Sequence, residues 1–309
     1  MSHRSALAPS ATQKSMPTSS PSWIQRHPLL AFFAWFFTVG QAFAFFPVVM
    51  ANRGVEVPHQ PFILGSTLVG LLLPALVITR VVDGPEGLRA LLRRAVEVRV
   101  SAGWYAFALL LVPVLSVGLS VGLLGRPTDL SPSIIGSTLL SSFLLQILLN
   151  LVPNNWTEEV AWSGFVQRRF QDRHSPFQAA LLAGPLFALQ HVSAVAGATL
   201  GEAVFLMMVM ALLVTPYRFV TGWVYNRTGS LLLVGLLHAA GNAAATGSGF
   251  MPGLLRSLYP ESQLAGMAHL LVFALVGIVV VIATRGRLGL DSAARAQPRS
   301  VDERGLELG

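Results

Sequence analysis

Residues 264–283 read LAGMAHLLVFALVGIVVVIA, a run with no Asp, Glu, Lys or Arg. As a helix rising 1.5 Å per residue it covers about 30 Å, the thickness of a bilayer's hydrocarbon core. The run has no polar stripe, so a helix built from it is apolar on every side and has lipid as its natural solvent. Seven earlier runs have the same character: Leu29–Met50, Phe62–Val82, Trp104–Gly125, Ile134–Val152 with a continuation, Phe177–Val195, Glu202–Tyr225 and Ser230–Ala245. The composition agrees. Charged residues make up 11% of the 309 and hydrophobic ones 53%, whereas soluble domains carry about 25% charge. The expected fold class is all-α: a polytopic membrane helical bundle of about eight transmembrane helices, integral to the membrane and in contact with the lipid bilayer.

Charge distribution sets the expected orientation. With eight spans, all but three of the 21 Lys and Arg fall on one side, and the exceptions are Arg53, Arg126 and Arg256. The rich side includes Arg89, Arg93 and Arg94, then Arg168, Arg169 and Arg173, and also Arg218 and Arg227. The positive-inside rule then places both termini in the cytoplasm. Topology accounts for the net charge of +7, so no nucleic-acid partner is implied. No cysteine is present, which removes disulfides, thiolate metal sites and a cysteine nucleophile. Residues 1–22 and 286–309 read as disordered cytoplasmic tails flanking one membrane domain over residues 23–285. The small-xxx-small pair Gly118 and Gly122 reads as a helix contact.

Acids, imidazoles and amides inside such runs are costly to bury and mark function. Three clusters stand out: Thr157-Glu158-Glu159 through Gly164, Phe187 to His191, and His238-Ala239-Ala240-Gly241-Asn242. His238 and Asn242 lie four apart on one helical face, as do Phe187 and His191. Adjacent Glu158 and Glu159 diverge by about 100°, so one carboxyl addresses a given centre and the other needs a partner of its own. Counting from Arg168 and Arg227, Glu158 and His238 both lie about 15–16 Å deep, whereas His191 counts to about 21 Å from Phe177. Each cluster alone also has a plainer use, as a helix cap or as glue between helices. Their coincidence on three runs points to chemistry.

At these residues the chain resembles the CPBP intramembrane proteases, which include the type II CAAX prenyl endopeptidases. The family pattern E-E-x-x-x-R, F-x-x-x-H, H-x-x-x-N is met by Glu158-Glu159, Phe187 with His191, and His238 with Asn242. The likeness extends over roughly residues 60–245. It implies an endopeptidase, in a bacterial plasma membrane, that cuts a membrane-associated peptide or protein with water activated by Glu158 and His191. His238 and Asn242 would stabilise the oxyanion, and Glu159 would support them. No cofactor is expected. If zinc were used, Glu158, His191 and His238 would be its ligands, although H-E-x-x-H is missing. Where the family has Arg, this chain has Ser163, which leaves Glu159 without its usual neutralising neighbour; Arg168 or Arg169 would have to stand in. A catalytically impaired scaffold of the same family, or a proton-coupled transporter using the same buried groups, are the competing readings.

Overall fold

The computed structural model describes residues 21–127, 131–245, 247–248 and 251–290. The two tails expected at 1–22 and 286–309 fall mostly outside them. Where they do not, the chain is ordered: Ser22 caps the turn Trp23–Arg26, and Leu288 is fully buried beside Phe219 and Phe177. Among the described residues eight apolar helices follow in the expected order, so the molecule is a helical membrane bundle. Six are long enough to cross a bilayer: α1 (Pro28–Ala51), α2 (His59–Val82), α4 (Ala102–Leu124), α5 (Pro132–Gln171), α7 (Leu200–Thr228) and α10 (Gln263–Thr284). Two are shorter, α6 (Pro176–Leu189) and α8 (Leu231–Ala244). Between them lie the amphipathic α3 (Gly84–Ala95) and the single turn α9 (Leu254–Leu258). A two-residue antiparallel pairing, Gly247–Ser248 with Met251–Pro252, closes the loop after α8.

Local chemistry explains the two short helices. Ser175 and Gln178 form a capping box and Pro176 takes the first helical position, so α6 starts sharply. It ends at Leu189 (not near Val195, as hydropathy suggested) because the chain turns through Gln190 and His191 into a 3₁₀ turn at Val192–Val195. Gly229, at φ 68°, ends α7 in the left-handed conformation, and the Ser230 hydroxyl then caps α8 by accepting from the Leu233 N–H at 3.1 Å. Fourteen helical residues rise only about 21 Å, so α6 and α8 reach part of the way through a bilayer, and both carry site residues at or near their inner ends.

The arginine-rich loops gather at one end of the bundle. Arg169 pairs with Asp83 at 2.5 Å, Arg94 donates to the Tyr225 hydroxyl at 3.3 Å, and Asn226 donates to the Leu288 carbonyl at 2.9 Å. At the opposite end Tyr259 reaches the Gly125 carbonyl at 2.7 Å and Ser142 meets Ser257 at 2.9 Å.

Packing follows membrane logic, with large apolar side chains outside and small or polar ones within. Leu110, Leu140, Leu148, Leu212 and Ile282 are all more than half exposed on the outer surface. Inside, a Cβ at Gly70 would sit 2.5 Å from the Gly40 Cα, and one at Gly235 would sit 2.6 Å from the Trp156 Cα. These contacts bring α1 against α2 and α8 against α5. Gly118 and Gly122, expected at a helix contact, face open space instead, with nothing within 4 Å. A centre of Phe32, Phe36, Trp162, Phe165 and Phe187 joins α1, α5 and α6, with Trp162 edge to face against Phe32, Phe36 and Phe187 and Phe165 tilted against Phe32.

Candidate active site

The site begins on α5. This helix contains π turns at Leu151–Trp156 and Val160–Gln167, with Thr157–Glu159 between them in α geometry. Such turns are found where a helix has to aim side chains for function. Glu158 and Glu159 are both buried, and as the sequence predicted they face different surroundings.

Glu159 is fully enclosed and fully paired. One carboxylate oxygen accepts from the Tyr217 hydroxyl at 2.6 Å, and the other accepts from the Ser163 hydroxyl at 2.5 Å. The Arg218 guanidinium donates to both oxygens, at 3.1 and 3.0 Å. It also donates to Ser163 Oγ at 2.8 Å and to Gln167 Oε1 at 2.9 Å, and lies over the Phe187 and Tyr217 rings. The arginine missing at position 163 is therefore supplied from α7, and Ser163 is the small residue that makes room for it. Arg168 and Arg169 take no part; they pair with Asp172 and Asp83. Arg218 also leaves the tally of loop cations, since it has no exposure to solvent or lipid. Two buried charges so placed offset much of their desolvation cost only because nearly every donor and acceptor is used.

Glu158 has no ion pair among the described residues. The Gln190 side chain reaches it, and it lines a cavity of about 150 Å³ with Gln60, Gln146, Asn150, Asn154, Asn155 and Asn242. A second cavity, about 260 Å³, is lined by Phe187, His191, Met210, Tyr217, His238, Asn242, His269 and Phe273. Asn242 and Gly247 border both. The structure thus brings Glu158, His191, His238 and Asn242 to the walls of two neighbouring cavities, with Glu159 directly behind.

The imidazoles are oriented. His191 Nδ1 lies 3.2 Å from the Phe187 carbonyl, which fixes its proton there and leaves Nε2 with a free lone pair. His238 Nδ1 lies 3.3 Å from Glu159 Oε1, near enough for charge attraction but off-line for a hydrogen bond. The rings of Phe187 and Tyr217 stand 6.2 and 5.1 Å from that of His238. His191 sits in the turn beyond α6, so its depth no longer follows from counting helical residues from Phe177. Among the described residues no three His, Asp or Glu side chains converge as metal ligands. Glu158, His191 and His238 form no such group.

Sequence reasoning missed several participants. Arg218 was legible as a lone charge between Glu202 and Arg227 in an otherwise uncharged run. His269, buried on α10 with Nδ1 unpartnered, was likewise the one titratable group in its run. Tyr217 and Gln190 gave no signal.

The bundle is a helical membrane protein with a carboxylate and two imidazoles lining cavities inside it. Residues 140–244 match the family model of the Rce1-like type II CAAX prenyl endopeptidases, in keeping with a likeness to the CPBP proteases. The matched stretch runs from within α5 to the end of α8 and holds all five predicted site residues. No curated protein matches the chain.

Proposed function

We propose that the protein is an intramembrane endopeptidase that hydrolyses a peptide bond of a membrane-associated substrate without a metal. The observation that carries this reading is the meeting of Glu158, His191, His238 and Asn242 around two cavities that share the Asn242 wall. Glu158, assisted by the free Nε2 of His191, takes a proton from a water molecule as that water attacks the scissile carbonyl carbon. His238, held beside the Glu159 carboxylate, and the Asn242 amide donate to the oxyanion that forms. A donor of this kind lowers such barriers by about 2.7–4 kcal/mol. When the tetrahedral intermediate collapses, the C–N bond breaks and the proton held by Glu158 passes to the leaving amine. Glu159 and Arg218 do not touch the reacting atoms; they fix His238 and the pitch of α5.

The larger cavity, walled by Phe187, Met210, Tyr217, Leu270 and Phe273, suits an apolar substrate group beside the scissile bond. In this reading the arginine-rich side, on which the described ends of the chain lie, faces the cytoplasm. The test is comparative membrane proteomics of cells carrying the native protein or Glu158→Ala. New protein termini present only with the native chain are expected. Identical termini in both, with equal membrane insertion, would favour the non-catalytic scaffold. Dialysis against a strong chelator is expected to leave cleavage unchanged, and loss restored by zinc would sink the metal-free mechanism.

A further inference from the structure

Gln146, Asn150, Asn154 and Glu158 follow one another at intervals of four on α5 and all line the 150 Å³ cavity. In a uniform α-helix each step of four residues drifts by about 40°, so four such positions would spread over about 120°. The π turn at Leu151–Trp156, which lies between Asn150 and Glu158, turns less per residue and offsets that drift, so the four side chains line one cavity. Their donors are partly spent within the wall. Asn150 Nδ2 donates to the Gln146 side-chain and main-chain oxygens, both at 2.8 Å, and Asn154 Nδ2 donates to Asn150 Oδ1 at 3.3 Å. What remains is acceptors: Gln60 Oε1, Asn154 Oδ1 and Asn155 Oδ1 are buried with no donor among the described residues. Asn155 itself is only 4% exposed.

A buried acceptor left unpaired costs about 1–3 kcal/mol, and three around one space demand an occupant that donates. The volume suits about five waters at roughly 30 Å³ each, and is too small for a length of peptide. The wall begins at the end of the bundle opposite the arginine-rich loops, where Gln146 also reaches the Pro252 carbonyl at 3.4 Å. It ends at Glu158.

We propose that this amide wall holds a file of ordered water that supplies the hydrolytic molecule to Glu158 from that end of the bundle, on the opposite flank from the apolar cavity. Water and substrate then approach the carboxylate from different sides, and the apolar group need not be displaced for water to enter. The kinetic half of this inference rests on the hydrolase reading; the physical half does not.

The experiment is X-ray radiolytic labelling of the full chain in nanodiscs containing heavy-oxygen water, read by mass spectrometry. Hydroxyl radicals made from a bound water oxidise the side chain beside it. Ile63 lines the cavity, so Ile63→Met provides a sulfur reporter, and Leu148→Met, at a site 72% exposed on the outer surface, provides a lipid-facing control. The Ile63→Met reporter is expected to be oxidised and the control not. Adding Asn150→Leu and Asn154→Leu is expected to reduce labelling several-fold and to lower kcat about tenfold at unchanged KM, since water supply is lost and substrate binding is not. Glu158→Gln is expected to abolish cleavage but keep the labelling, which separates failure of the hydrolase reading from failure of this one. An unlabelled reporter in the otherwise native chain overturns the proposal whether or not the double variant folds. So does unchanged labelling or unchanged kcat in a folded double variant. Thermal stabilisation by Na⁺ or Ca²⁺ with a silent reporter would overturn it in favour of a cation held by the same oxygens.

Discussion

The two adjacent glutamates are treated in opposite ways. Glu159 is dry and saturated, with Tyr217, Arg218 and Ser163 around its two oxygens. Glu158 is reached by the Gln190 amide and otherwise faces a cavity lined by amides. One peptide unit separates a carboxylate that holds the bundle together from one left free to react. The difference teaches that α5 is positioned from behind: Arg218 on α7 pulls on Glu159, and that grip aims Glu158 forward.

The comparison breaks most completely if the free carboxylate is neutralised. Glu158→Gln keeps shape and burial, so cleavage should fall by about 10²–10⁴-fold while the thermal unfolding midpoint in detergent stays put. A shifted midpoint with cleavage retained would reverse the two roles. Next comes the grip itself. Arg218→Met strands a buried charge and should destabilise by about 3–5 kcal/mol, whereas Glu159→Leu combined with Arg218→Met should recover most of that loss. Exchanging the partners, Ser163→Arg with Arg218→Ser, sharpens the point. It restores a guanidinium one turn from Glu159, and it should regain stability and cleavage relative to Arg218→Ser alone. Asn242→Ala should reduce kcat by about 10²–10³-fold with little change in midpoint, as expected for an oxyanion donor. The smallest effect is on the dry side: Tyr217→Phe deletes one hydrogen bond to a charged group and should cost about 1.5–3 kcal/mol of stability. A larger effect on turnover than on stability would move Tyr217 into the chemistry.

The glutamate pair also shows what could be read in advance. The 100° divergence of neighbouring helical residues already required that one carboxyl have a partner, and the three polar clusters named the residues that now meet. The partner itself could not be read. Arg218 is 59 residues from Glu159, and only the crossing of α5 with α7 brings them together. Hydropathy located α6 but overshot its end, because an apolar turn through Gln190 and His191 scores like an apolar helix. The bounds expected for α8, Ser230–Ala245, lie within one residue of the observed Leu231–Ala244. Gly118 and Gly122 had the spacing of a contact and no partner in space, while Gly40 and Gly70 lie thirty residues apart and do touch.

By itself the sequence determined the solvent of this protein and which polar groups its bundle would have to enclose. Length, hydropathy and the cost of placing charge in hydrocarbon act residue by residue and need no fold. Tertiary structure alone decided which charge answers which, that the amides of α5 line up, and that Asn242 stands between a polar cavity and an apolar one. Those are distances between helices, set by small residues at crossings and by local π turns, and neither leaves a periodic trace in the chain.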